Sequence, residues 1–189
     1  MIIITNANEL ETIVEQISAN QQSISLAITP DNFCQPKSLR HVVFSQGNDS
    51  YHVEITRNSN DNHDLFAESN EVSNEYIAIL KHLFNNNNPK VLANYKDSLH
   101  YFRCLDLTLN NVCGDLTLAH YIQNSKDKHS LSSIYKQMLN VDVIDIPSNI
   151  SKLTKDSIWL GTDTDKIINN LHVIVDNCMS ITSTFSICL

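Results

Sequence analysis

The order of apolar patterns along this chain constrains its fold more than any other feature of the sequence. Three segments with strand-like alternation follow one another directly, at residues 23–29, 39–45 and 50–56, with turn residues between them. From residue 90 onward, short apolar strands alternate with segments of helical spacing. Adjacent strands followed by strand and helix in alternation predict an α/β fold, with a mixed sheet of five or six strands and helices on its faces.

Capping residues and apolar spacing place the other elements. Short strands are predicted at 2–5, 90–93 and 111–114. Helices are expected to begin after Asn6 or Asn8, after Asn94 and after Asp115, because such side chains accept hydrogen bonds from the free N–H groups of a first turn. Further helices are predicted around the apolar stripe of 76–84, at 130–139, and from about 157 to 175, with 179 as a later end.

The composition favours a single intracellular domain. With 189 residues and 42% hydrophobic content, the chain is long enough to bury one core and too short for two ordinary domains. It shows no apolar run of membrane-spanning length and no signal-peptide pattern. Its five cysteines form no CxxC pair, which indicates reduced thiols. We therefore expect one soluble, cytoplasmic domain over residues 1–189, without a membrane partner.

Charge and spacing argue against several kinds of binding site. A formal charge of -8 disfavours tight DNA binding, which gains affinity from clustered Lys and Arg. His52 and Glu54 come nearest to a metal-ligand pair, and we interpret them as a chance pair on a strand edge. The asparagine run at 85–88 is predicted to be a solvated loop. Three aromatic residues at helical spacing are expected in the core rather than stacked on bases: Tyr95, Tyr101 and Phe102.

A family pattern lies in the segment from 80 to 139. It has the form D-x-x-L-x-x-Y-x-x-x-S and is followed by His-Ser-Leu at 129–131. The residues that match it are Asp115, Leu118, Tyr121 and Ser125. This segment resembles the 3'-5' exonuclease (proofreading) domain of bacterial DNA polymerase I, a family A polymerase. The resemblance extends to the opening strand and helix at 1–17, and to Trp159 and Asp163, which stand where the family has Y-x-x-x-D.

The resemblance implies a ribonuclease H-like fold and a two-metal nuclease site. Enzymes of this family hold two divalent metal ions with four carboxylates, which neutral side chains cannot replace. The first motif of the family is Asp-x-Glu on a strand, whose two side chains share one face. Ala27 and Thr29 occupy these positions here, and the nearest acid, Asp31, follows Pro30, where the strand should have ended.

The second and third motifs of the family are only partly present. The second places an Asp four residues after an Asn; counting from Asn94 gives Ser98, whereas Asp97 comes one residue early and is expected to point away from the site. In the third motif, Trp159 lacks the phenolic oxygen of the family Tyr, while Asp163 remains as the residual candidate metal ligand. Asp115 is interpreted as a helix N-cap.

The resemblance and the missing acids together favour a catalytically inactive exonuclease domain that supports the polymerase domain of the same parent chain. No catalytic residue, metal or other cofactor is expected, and DNA binding is expected to be weak or absent. One alternative is an active nuclease with Mg²⁺ or Mn²⁺ in a rearranged site, drawn from Asp97, Asp115, Asp163 and Asp165. The other alternative is a stand-alone interaction protein of the same fold.

Overall fold

The computed structural model describes residues 1–33, 35–55, 69–147, 159 and 164–185, with only the backbone described at 69–73. These residues form six strands and six α-helices. The strands are β1 (Ile2–Ile4), β2 (Ile24–Pro30), β3 (Leu39–Gln46), β4 (Asp49–Glu54), β5 (Lys90–Leu92) and β6 (Val112–Asp115). The helices are α1 (Ala7–Ala19), α2 (Ser69–Asn85), α3 (Tyr95–Cys104), α4 (Leu116–Gln123), α5 (Leu131–Leu139) and α6 (Thr164–Thr184).

All six described strands form one mixed sheet in the order β1-β4-β3-β2-β5-β6. The meander of β2, β3 and β4 is antiparallel, as the three adjacent strand patterns predicted. β5 and β6 add to it in parallel on one side, and β1 pairs in parallel with β4 on the other. The predicted α/β class with a mixed sheet is therefore confirmed.

The two faces of the sheet carry different helices. The residues of β2 with even numbers, such as Leu26 and Ile28, join a core cluster with α1, α2 and α3. The odd residue Ala27 instead joins a cluster with Val43 and α6, because successive side chains of a strand point to opposite faces. A further cluster links β5 with α4, α5 and α6. The family-motif positions of β2 therefore lie on the face that α6 covers.

Local capping follows the sequence closely. Asn6 caps α1 by accepting a hydrogen bond from the Glu9 backbone N–H at 2.9 Å, and Asp115 caps α4, as predicted. The expectation for the aromatic residues is also confirmed for Tyr101 and Phe102, which are fully buried. No described helix has the length and apolar character needed to cross a membrane.

Three predictions about local structure are wrong. The asparagine run is not a solvated loop throughout, because Asn88 is 2% exposed and its side chain donates to the carbonyl groups of Ile17 and Gln22. His52 does not lie on a strand edge, since β4 has a neighbouring strand on each side. The last helix runs to Thr184 rather than to 175 or 179, because its buried apolar pattern continues through Ile181; its predicted start at 157 lies outside the described residues.

Candidate active site

Strand β2 places the two first-motif positions on the face beneath α6. Ala27 is 3% exposed and packs in an apolar cluster with Val43 and three residues of α6. Thr29, two residues further on, is 1% exposed, and its hydroxyl has no hydrogen-bond partner among the described residues. The first of these positions, Ala27, therefore presents a methyl group beneath α6, and the second, Thr29, presents a hydroxyl.

The start of α3 lies beside Ala27. Asn94 caps this helix, and its side-chain N–H donates to the Asp97 carboxylate at 2.6 Å. The Ser98 hydroxyl donates to the Asn94 carbonyl at 2.9 Å. Asp97 and Ser98 both line the narrow cleft next to Ala27, so the expectation that Asp97 points away from the site is wrong. Asp97 keeps this position because its carboxylate accepts the hydrogen bond from the Asn94 side chain at the start of the helix.

Ile146, from a later part of the chain, forms part of the wall of this cleft. Its side chain packs against all three core clusters and lines the cleft together with Ala27, Ser98 and Tyr101. The remaining space is about 10 Å³. That is at or below the volume that one water molecule needs, so two hydrated metal ions do not fit without movement of the lining side chains.

The segment that carries Ile146, residues 141–147, is here termed the strap. Its carbonyl groups are fixed from three sides: Pro147 accepts from the Tyr101 hydroxyl at 2.7 Å, and Asp145 accepts from the Trp159 indole N–H at 3.0 Å. On the third side, the Asn170 side chain of α6 forms two hydrogen bonds with the Ile144 backbone, at 2.7 and 2.9 Å. Trp159, in place of the family Tyr, therefore donates to the strap.

A second and wider cleft of about 220 Å³ lies at the end of β2, where Thr29, Asp31, His41 and Trp159 contribute to its wall. Asp31 follows the last residue of β2, as predicted, and its carboxylate accepts hydrogen bonds from the backbone N–H groups of Lys37 and Ser38, at 2.9 and 3.1 Å. Asp31, the acid nearest in sequence to the first-motif positions, thus closes the connection between β2 and β3.

Sequence reasoning missed a buried histidine pair next to this cleft. His41 Nδ1 and His52 Nε2 lie 3.1 Å apart, and the two rings are stacked. Burial, the neighbouring His52 and the charge of Arg40 lower the pKa of His41 to about 3, and burial lowers the pKa of His52 to about 4. The signal was present in the register of the hairpin, which sets His41 and His52 on one face of adjacent strands.

Asp115 joins the first turns of two helices. One carboxylate oxygen accepts from the backbone N–H groups of Thr117 and Leu118, at 3.0 and 3.3 Å, and the other accepts from that of Tyr95 at 3.3 Å. Burial raises the pKa of Asp115, while these hydrogen bonds act in the opposite direction. The interpretation of Asp115 as an N-cap is confirmed, and it extends to the start of α3.

The donor set near Ala27 does not fit two divalent metal ions. The described groups there are hydroxyls and one carboxylate already bonded to Asn94, whereas Mg²⁺ in such sites relies on several free carboxylates. Within the described ranges, no three His, Cys, Asp or Glu side chains are grouped closely enough to hold a metal ion. Of the acids in a rearranged site, Asp165 is exposed and Asp163 lies outside the described residues.

Comparison with known proteins adds a family match. A family model described as 3'-5' exonuclease matches residues 1–159 of this chain. The matched region contains all six strands described above and the first five helices. No curated protein sequence matches the chain.

Solved structures match almost the whole chain at low identity. A mutant of the catalytic core of RRP6 from Trypanosoma brucei has a TM-score of 0.65 and 13% identity, covering 97% of this chain and 45% of that chain. The POL domain of Pol1 from M. smegmatis, in complex with DNA primer-template and dNTP, has a TM-score of 0.62 and 12% identity, covering 97% and 26%. RNase D from T. brucei has a TM-score of 0.62 and 13% identity, covering 96% and 62%.

These likenesses concern the fold. They confirm the predicted ribonuclease H-like architecture, with a mixed sheet and helices on both of its faces. The chain spans less than two thirds of each of these three proteins, so each contains a large part that has no counterpart in this chain.

Proposed function

Because this chain belongs to the 3'-5' exonuclease family, we propose that it is a catalytically silent member, retained as a rigid module that supports the polymerase module of one parent chain. The observation that carries the proposal is the cleft beside Ala27, where the one carboxylate among the lining residues, that of Asp97, is already bonded to the Asn94 side chain. Phosphodiester cleavage by two metal ions requires carboxylates that fix both ions around the attacked phosphate. Among the described residues of this cleft, Asp97 alone carries a carboxylate, and one carboxylate cannot fix two ions.

Hydrogen bonds within the site also support the proposal that the domain has no nuclease activity. Asp97 is bonded to Asn94, and the Ser98 hydroxyl is bonded to the Asn94 carbonyl. Releasing Asp97 for a metal ion would remove its 2.6 Å bond to the Asn94 side chain. At Ala27 any carboxylate would have to be buried among Val43 and apolar residues of α6, which is costly without a paired charge.

Charge supports weak or absent DNA binding by this domain. The chain carries 13 basic and 21 acidic side chains, so a polyanion is repelled at long range unless a local patch compensates. In a module that only supports a neighbouring polymerase, DNA affinity is not required. Deleting the module from such a parent polymerase should lower the thermal stability of the remainder, measured by calorimetry, and an unchanged melting temperature would argue against a supporting role.

A cleavage assay tests whether the domain lacks nuclease activity. Single-stranded DNA labelled at its 5' end is incubated with the protein and Mg²⁺ or Mn²⁺, and product length is followed on a gel. We expect no shortening in either metal, with an Asp163→Ala variant prepared in parallel as the control for contaminating nucleases. Digestion that depends on metal and disappears in the Asp163→Ala variant would contradict the proposal, whereas digestion present in both preparations comes from a contaminant.

A further inference from the structure

Helix α4 exposes an apolar stripe that neither the core nor the cleft explains. Leu118, Tyr121 and Ile122 are 40%, 53% and 55% exposed, and their spacing places them on one face of the helix. The other face of α4 is buried through Leu116 and Ala119. A helix that is apolar on both faces is typical of an element covered on both sides. Leu118 and Tyr121 also belong to the D-x-x-L-x-x-Y pattern. The Asp of this pattern, Asp115, caps the helix, whereas the side chains of Leu118 and Tyr121 are exposed.

The stripe is held in place by its surroundings. The Tyr121 and His129 rings form a T-shaped contact with 5.1 Å between their centroids, and His129 Nδ1 lies 2.8 Å from the Nδ1 of buried His120. At the end of α4, the Gln123 side chain donates to the Phe185 carbonyl at 2.7 Å. A partner would therefore lose little conformational entropy from Tyr121 on binding, which favours its use as an anchor.

Positive charge lies next to this stripe in an otherwise acidic chain. The segment 116–140 contains three lysines and one aspartate, whereas the whole chain carries a formal charge of -8. Lys136 is paired with Asp142 at 2.9 Å. Lys126 and Lys128, in the loop directly after α4, are exposed and form no ion pair with any carboxylate of the described residues. Asp127, also exposed, stands between the two lysines, so these three residues keep a net positive charge, which acidic side chains of a partner would complement.

We propose that the α4 stripe, consisting of Leu118, Tyr121 and Ile122 with Lys126 and Lys128 beside it, is a docking surface for an acidic amphipathic helix of another protein. Apolar residues at i, i+3 and i+4 pack against the apolar face of a second helix, and acidic residues on the flank of that helix meet the two lysines. Nucleic acid fits this surface less well, because Leu118 and Ile122 offer no planar group for stacking on bases. This surface is independent of catalytic silence, since none of its residues lines either cleft.

Synthetic peptides test the proposal with the intact chain. The probe is a fluorescent helical peptide of about 18 residues, roughly five turns, with leucines on one face and glutamates on its flanks. A matched peptide carries lysines in place of the glutamates. Fluorescence anisotropy should show saturable binding of the acidic peptide and at least tenfold weaker binding of the basic one. A combined Tyr121→Ser and Ile122→Ser variant should weaken the acidic peptide at least tenfold.

Two further variants separate charge from folding defects. The combined K126E and K128E substitutions lie on the exposed loop and should reverse the preference, so that the basic peptide binds more tightly. Ile3→Ser changes a residue that is 54% exposed on β1, at the opposite edge of the sheet, and should leave binding unchanged. Circular dichroism checks that each variant remains folded.

Three outcomes would overturn the proposal. The first is a lack of saturable binding of the acidic peptide, or binding that the Tyr121→Ser and Ile122→Ser variant retains in full. The second is self-association of the wild-type chain in sedimentation that this variant abolishes, which would assign the stripe to a second copy. The third is competition by oligo(dT) for the same residues in NMR shift mapping, which would assign the surface to nucleic acid.

Discussion

Thr29 is a buried side chain whose hydroxyl is left unpaired within the described part of the chain. An unsatisfied buried hydroxyl destabilises a folded protein, and replacing it by a methyl group of similar shape removes this cost. We therefore expect Thr29→Val to raise the free energy of unfolding in urea by about 0.5–1 kcal/mol. A loss of stability in this variant would contradict this expectation. It would indicate that the Thr29 hydroxyl has a partner, such as an ordered water molecule or a metal ion.

The His41 and His52 pair makes stability depend on pH. The folded-state pKa values of about 3 and about 4 lie below the ordinary value of 6.5, which the unfolded chain retains. Below pH 6.5 the unfolded chain takes up protons that the folded chain excludes, so stability is full above pH 6.5 and falls as the pH drops toward 4 and 3. Each histidine contributes up to about 1.4 kcal/mol per pH unit within this window.

Urea unfolding at pH 7 and pH 5 measures this effect. We expect the wild-type protein to lose on the order of 2 kcal/mol or more on acidification, from the two histidines together. A variant with His41→Phe and His52→Phe keeps two stacked rings without titrating nitrogen atoms, and should show a clearly smaller loss. Equal losses in the two proteins would place the pH dependence on other groups.

At the scale of elements, the strap at 141–147 holds Ile146 in the cleft. It has no regular secondary structure, so its position depends on side chains of α3 and α6 and on Trp159. The Tyr101 hydroxyl, from the buried face of α3, donates to the Pro147 carbonyl at 2.7 Å. Because both groups are buried, this bond contributes to keeping the cleft closed.

Tyr101→Phe removes this bond and leaves a buried carbonyl without its donor. We expect the free energy of unfolding to fall by about 1–2 kcal/mol, with faster hydrogen exchange in the strap. Tyr121→Phe is the matched control, since Tyr121 is 53% exposed and its hydroxyl can bond to water. Equal effects of the two substitutions would show that the Tyr101 bond does not fix the strap.

Elements with strong local signals were predictable from the sequence, and those fixed by distant contacts were not. Asn6 and Asp115 indicate helix starts in the sequence because their side chains accept hydrogen bonds from N–H groups two or three residues away. The asparagine loop is different: Lys90 is fully buried, and its ammonium group donates to the Asn86 side chain and to the carbonyls of Asn86 and Asn88. Nothing in a polar run indicates that a lysine four residues further on will be enclosed by it.

At the scale of the whole molecule, the fold was predictable because a meander followed by alternating elements is compatible with few sheets. The parallel pairing of β1 with β4 was not predictable from the sequence, because about fifty residues separate Ile2 from its partner Tyr51. In the site, sequence identified Ala27, Thr29 and Ser98 as positions without acids. The sequence did not indicate that Ile146 lines the cleft beside Ala27 and Ser98, because the strap reaches this cleft only through tertiary contacts.

A Mn²⁺ titration of the intact chain, followed by calorimetry and by the electron paramagnetic resonance of free Mn²⁺, tests the missing metal site most directly. A cleft of about 10 Å³, lined by Ala27, Ser98 and an Asp97 carboxylate bonded to Asn94, predicts no saturable uptake at micromolar concentration. Uptake of two ions per chain at micromolar concentration, lost in the Asp163→Ala variant, would contradict catalytic silence.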